Sequence, residues 1–128
     1  MKVIVAGTRT VRDPSIVVAA IGASPFHITE IVEGDAPGVD RIAGFLAAQW
    51  KVPCKVFRAN WAVYGNNAGP RRNQQMAEYA EALIAIWDGV SRGTADMISR
   101  ATIRNLPVFV YRISEHATGG DTTMLRER

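Results

Sequence analysis

Five apolar runs, separated by four stretches of helical spacing, constrain this chain more than any other feature. "KVIVAG" (2–7), "ITEIVEG" (28–34), "CKVFRA" (54–59), "ALIAIWDG" (82–89) and "PVFVYRI" (107–113) read as strands. Between them lie "PSIVVAAIGA" (14–23), "VDRIAGFLAAQW" (39–50), "PRRNQQMAEYA" (70–80) and "TADMISRATIRN" (94–105), which read as helices, the last capped by Thr94. In 39–50, Val39, Ile42, Ala43, Leu46, Ala47 and Trp50 recur at helical spacing and so share one face. Strands this apolar are covered on both faces, and strict strand–helix alternation calls for right-handed crossovers and parallel pairing. The predicted fold class is α/β: a single-domain, Rossmann-like three-layer sandwich with a mostly parallel five-stranded sheet over residues 1–112. Residues 113–128, polar and with a Gly pair, read as a loose C-terminal tail.

At 128 residues there is room for one ordinary domain with a real core. A single cysteine, Cys54, excludes an internal disulfide and fits a reducing compartment. No apolar run reaches the roughly 20 residues a membrane helix needs. The opening "MKVIVAGTRT" turns polar too soon for a signal peptide, so the expected location is cytoplasmic, with no membrane partner.

Charge matters through its kind and its position. Of 15 basic residues, 12 are Arg, against 12 acidic residues and a net charge of +3. A guanidinium grips phosphate with two parallel hydrogen bonds. The Arg residues gather on loops instead of striping one helix, which points to a small anionic ligand and away from nucleic acid.

In open parallel sheets, ligands lie at the carboxyl ends of the strands. After the first strand come Gly7, Thr8 and Arg9, and after the second come Gly34, Asp35, Ala36, Gly38 and Asp40. The third strand is followed by "ANWAVYGNNAGPRRNQQM" (59–76) and the fourth by "DGVSRGT" (88–94). The opposite edge carries only "ASPFH", "WKVP" and "RNLP". Any one of these Gly-rich loops reads as a tight turn, whereas four on one edge read as a site. Two helices begin just after Gly pairs, and their N-termini offer unpaired N–H groups and a positive dipole end to an anion. Arg71 and Arg72 fall in the first turn of the third helix, where the dipole disfavours cations and a bound anion would explain them. Trp61 and Tyr64 either close the core under a long loop or stack on a base.

Three other patterns in the chain bear on chemistry. "GVSRG" (89–93) matches the G-x-S-x-G elbow, with Glu115 and His116 later in the chain, and leaves a hydrolase through Ser91 as a minor reading. Neither G-x-G-x-x-G nor G-x-x-x-x-G-K-[ST] occurs. His27, His116 and Cys54 lack metal-ligand spacing, so no metal site is expected from them, although Asp35, Asp40 and Asp88 could hold Mg²⁺ beside a phosphate.

With "AGTR" (6–9), "EGDAPGVDRIA" (33–43), residues 59–76 and "DGVSRGTADMI" (88–98) in view, the chain resembles the SLOG superfamily, in its YspA-type, cpYpsA-related branch, over residues 1–112. The superfamily is Rossmann-like and includes the Lonely Guy phosphoribohydrolases and domains thought to sense nucleotide-derived ligands, ADP-ribose relatives among them. The resemblance implies a nucleotide-like ligand, with Gly34, Asp35, Ala36, Gly38 and Asp40 on one side. It puts Gly69, Arg71, Asn73 and Met76 in the middle, and Gly89, Ser91, Gly93 and Thr94 around a phosphate, flanked by Asp88 and Arg92. Gly7, Thr8, Arg9, Arg72, Trp61 and Tyr64 complete the expected lining. Lonely Guy enzymes carry P-G-G-x-G-T-x-x-E, whose Glu assists N-glycosidic cleavage. Here Met97 stands at that position, and Asp96 is turned from it by about 100° of helix.

The sequence therefore predicts a protein that senses or sequesters a nucleotide or nucleotide-derived ligand. The alternative is a nucleoside 5'-monophosphate phosphoribohydrolase in which Asp35, Asp40 or Asp96 replaces the missing Glu. Trp50 and the apolar helix faces leave room for a homodimer.

Overall fold

The computed structural model describes residues 1–114 and the backbone of a strand over 122–127. Its strands are β1 (Lys2–Gly7), β2 (Glu30–Glu33), β3 (Cys54–Val56), β4 (Ala82–Trp87), β5 (Val108–Ile113) and β6 (Thr122–Glu127). They form one sheet in the order β3-β2-β1-β4-β5-β6. The first five pair in parallel, as the strand–helix alternation predicts, and β6 adds to β5 antiparallel. The rest of the expected tail, 115–121 and 128, lies outside the described residues.

Side-chain alternation along each strand divides the core in two. Val3 and Val5 of β1, with Ile84 and Ile86 of β4, face Ile16 and Val17 of α1 (Pro14–Ala23) and Val39, Ala43 and Leu46 of α2 (Val39–Trp50). Ile4 and Ala6 of β1, with Leu83 and Ala85 of β4, face Met76 and Ala77 of α4 (Ala68–Tyr79) and Met97 and Ala101 of α5 (Arg92–Ile103). The three layers follow directly, with each fully buried Ile or Leu contributing about 1.5–3 kcal/mol. Asp13 starts α1 by accepting the Ser15 amide at 2.9 Å, with Pro14 in the first helical position.

The second, third and fourth strands are shorter than the runs that predict them, and two further boundaries differ in ways that bear on the site. Residues 61–67 are not open loop: they fold as a one-turn helix, α3 (Trp61–Tyr64), then a 3₁₀ turn (Gly65–Asn67) that runs into α4 at Ala68. None of 61–67 is buried, so no hydrophobic period marked them. The last helix starts at Arg92 with Ser91 at the cap position, so Thr94 is not its cap but a buried residue of its first turn.

Strand order reverses between β1 and β4. The loops after these two strands diverge to helices on opposite faces and open a crevice at the carboxyl edge of the sheet. No helix among the described residues is long and apolar enough to cross a membrane.

Candidate functional site

The crevice is held open by main-chain contacts. Gly38, at φ 82°, lets the start of α2 approach the carbonyls of Thr8 and Arg9, where a Cβ would come within 2.6 Å of both oxygens. Positive φ and that proximity together leave glycine as the fitting residue. The β1 and β4 loops meet at Thr8, a buried residue whose hydroxyl accepts the Asp88 amide at 3.2 Å.

The β4–α5 loop is braced from several directions. The Asp88 carboxylate accepts the amides of Val90 (2.9 Å) and Ser91 (2.8 Å) and the Ser91 hydroxyl (3.0 Å). Partial burial pushes the Asp88 carboxyl up, but these bonds together hold it below its ordinary value. The Trp87 indole donates to the Ser91 carbonyl at 3.0 Å, and the Asn73 side-chain amide, from α4, donates to the Gly93 carbonyl at 3.2 Å. The loop thus presents the first turn of α5, Arg92 to Thr94, whose amides have no intrahelical acceptor. A Cβ built on Gly93 meets nothing within 4 Å. The space over that turn is open.

Opposite stands Arg72. It is 8% exposed, and its Nη1 donates to the Gly34 carbonyl at the end of β2 while its Nε donates to Asn73 Oδ1 at 3.0 Å. Burial lowers its pKa, and the negative charge of Asp40 opposes that shift. Asp40, in the first turn of α2, is itself buried and accepts the amides of Gly34 (3.1 Å) and Ala36 (3.4 Å). Burial raises its carboxyl to about 6 against the pull of Arg72 and these amides.

These residues enclose a cavity of about 290 Å³ over the β1/β4 reversal. Of the positions expected from the sequence, Gly7, Thr8, Arg9, Ala36, Asp40, Arg72, Asn73, Asp88, Ser91, Arg92, Gly93 and Thr94 line it. Met97 lines it too. A second cavity of about 360 Å³ adjoins it, with Arg9, Ala36 and Arg72 common to both and with Gly34, Asp35 and Trp61 on its far walls. Trp61 is half exposed, and its ring rests 3.3 Å from where a Gly69 Cβ would be, so Gly69 seats the indole without lining either cavity.

Other expected positions lie elsewhere. Arg71 does not join Arg72: its guanidinium stacks 4.0 Å from the centre of the Tyr64 ring, and it lines a separate depression with Asn67, Gln74 and Arg100. Successive helical residues diverge by about 100°, so only one of an Arg pair can face the crevice. Met76 is 1% exposed and belongs to the core. Asp96 accepts from Asn73 (3.0 Å) and Arg100 (2.9 Å), which makes it a brace for Asn73 outside both cavities. Gly89 shapes the loop at φ 85° and lines neither.

The chemistry of the minor readings can be placed as well. The Ser91 hydroxyl is spent on Asp88, His27 precedes β2 at the opposite edge, and His116 lies outside the described residues. Asp35, Asp40 and Asp88 each bond separate partners, and among the described residues no three Asp, Glu, His or Cys side chains gather as a metal site.

Three residues near the second cavity were missed from the sequence. Glu33 is 4% exposed at the end of β2 and accepts the Asp35 amide, and burial raises its carboxyl to about 7. Arg41, on α2, and Arg58, after β3, converge on Asp35 from distant parts of the chain. Glu33 stands in the "EGD" segment and ends an otherwise apolar strand, which is the one signal that could have flagged it.

The YspA, cpYpsA-related SLOG family model matches residues 1–64, half of the chain. The match contains the β1 loop, Gly34 to Asp40 and Trp61; Arg72, Asn73 and the Ser91–Thr94 turn come after it. No curated protein and no solved structure matches the chain. The chain belongs to the YspA, cpYpsA-related SLOG family.

Proposed function

We propose that this protein binds a nucleotide or nucleotide-derived ligand, a nucleoside phosphate or an ADP-ribose-like molecule, and acts as a sensor or a sequestering protein. The observation that carries the reading is the pairing of an open α5 first turn with Arg72 across the cavity at the β1/β4 reversal. Main-chain donors at a helix N-terminus and a fixed guanidinium suit a phosphate group. Trp61, in the adjoining cavity, offers a half-exposed indole to a base or sugar. Family membership supports a nucleotide-related ligand.

Binding is favoured over turnover because the resemblance of residues 93–97 to the Lonely Guy motif puts an apolar side chain, Met97, where those enzymes carry their acid. One observation keeps a phosphoribohydrolase as the second reading. Of the three acidic candidates only Asp40 lines the cavity, and burial raises its carboxyl to about 6, within range of a general acid. In that reading Asp40→Asn abolishes release of free base from a nucleoside 5'-monophosphate.

A thermal-shift panel of nucleoside mono-, di- and triphosphates, NAD and ADP-ribose, with and without Mg²⁺, tests the proposal. A ligand at about 100 times its dissociation constant adds roughly 2.7 kcal/mol, several degrees at this chain length. Stabilisation by at least one of them, without product formation, is the expected result. No stabilisation by any of them would overturn it.

A further inference from the structure

Asp35 organises the second cavity. Its backbone sits at φ 59°, a left-handed conformation that non-glycine residues seldom adopt and that persists where surroundings hold it. Here the buried Glu33 carboxylate accepts the Asp35 amide and helps to hold that conformation. The Asp35 side chain is thereby turned to collect two guanidinium groups, Arg41 Nε at 3.4 Å from Oδ1 and Arg58 Nε at 3.1 Å from Oδ2. Both contacts use Nε. The terminal nitrogens of Arg41 and Arg58 form no hydrogen bond among the described residues. With Arg9 and Arg72, four Arg residues line this cavity against the single acidic residue Asp35. As a stability device the arrangement is poor, since the Arg41 and Arg58 side chains are 59% and 73% exposed and such pairs contribute little. As an anion receptor it is suited, since both guanidinium groups are held beside the cavity by Nε and keep their terminal donors unspent.

We propose that the cavity lined by Arg41, Arg58 and Trp61 is a second anionic subsite, so that the ligand carries an acidic group at each end. This rests on the nucleotide reading above and narrows it. A phosphate on the α5 turn occupies the first cavity, and the ligand passes over Arg9 and Arg72, the side chains common to both cavities. A second phosphate, or a carboxylate, then meets Arg41 and Arg58. A simple nucleoside monophosphate fills only half of the site.

The test is a ratio of affinities, measured by calorimetry with adenosine 5'-monophosphate and with the 2',5'- and 3',5'-bisphosphates. The wild-type protein is expected to bind at least one bisphosphate about tenfold or more tightly than the monophosphate, and the advantage should shrink as salt rises. The double variant Arg41→Ala/Arg58→Ala should fold, because both side chains are exposed, and bring the ratio close to one. Arg104→Ala/Lys51→Gly removes the same charge at the opposite edge, with glycine suited to the φ of 57° at position 51, and should preserve the ratio. Equal affinities in the wild type, or an unchanged ratio in the Arg41/Arg58 variant, would overturn the second subsite while leaving the nucleotide reading in place. Absence of binding by all three compounds, together with an empty thermal-shift panel, would overturn both.

Discussion

The Arg72 guanidinium on α4 donates to the Gly34 carbonyl at the carboxyl end of β2, across the mouth of the crevice. A side chain from the third crossover thereby ties down the loop after the second strand, with Asp40 supplying the compensating charge. The space for this contact exists because residue 34 lacks a side chain, since a Cβ there would come within 2.6 Å of the guanidinium. Removing one member of a buried charged network leaves its partners unsatisfied. Arg72→Ala should therefore cost about 2–4 kcal/mol in urea denaturation, and Arg72→Lys should recover only part of it because an ammonium cannot make both bonds.

The open space at Gly93 allows stability and binding to be separated. With nothing within 4 Å of the built Cβ, Gly93→Ala and Gly93→Asp should melt within about 2 °C of the wild type. Both should weaken ligand stabilisation, and Gly93→Asp should abolish it, since a carboxylate there repels a phosphate on the α5 turn. Melting curves with and without ligand check both halves of the prediction.

Stability should fall as pH rises from about 4 to 7. Glu33 goes from an ordinary 4.5 to about 7 in the folded chain and Asp40 from 3.8 to about 6, so the folded state holds more protons than the unfolded state in that window. For raised folded-state values the stability is full below the unfolded pKa and is lost as pH climbs through the folded one. Glu33→Gln keeps the shape and the acceptor for the Asp35 amide without the buried charge. It should flatten the pH dependence of the melting temperature and stabilise the protein at pH 8 by about 1–3 kcal/mol. A slope unchanged by the substitution would contradict the assignment of Glu33.

Ser91 should not react with a fluorophosphonate probe. Its hydroxyl donates to Asp88, which braces the loop, and no imidazole among the described residues lies beside it. Ser91→Ala should cost only about 1 kcal/mol, the worth of one hydrogen bond. Labelling at Ser91 that is lost in Ser91→Ala would revive the hydrolase reading.

What the sequence disclosed was what periodicity and position along strands can carry. The bounds of α1 and α2 follow from Pro14, Val39 and the apolar spacing, and the crowding of Gly7, Gly34, Asp88 and Ser91 at one edge follows from strand direction alone. What escaped depended on rotation and on long-range convergence. Arg71 and Arg72 are adjacent in sequence, and which of them faces the crevice depends on how α4 is set against the sheet, which the unpatterned residues 61–67 concealed. Arg41 and Arg58 are 17 positions apart and meet only through the left-handed Asp35, whose amide is taken by a buried Glu33 that local propensity could not announce.

Calorimetric titration of the most stabilising nucleotide into the wild type and Gly93→Asp, with chromatography of the recovered ligand, tests the central claim most directly. The account predicts saturable binding of one molecule per wild-type chain, no heat of binding in the variant, and ligand recovered intact. Equal binding by both proteins would place the ligand elsewhere, and recovery of free base dependent on Asp40 would make the protein an enzyme instead of a receptor.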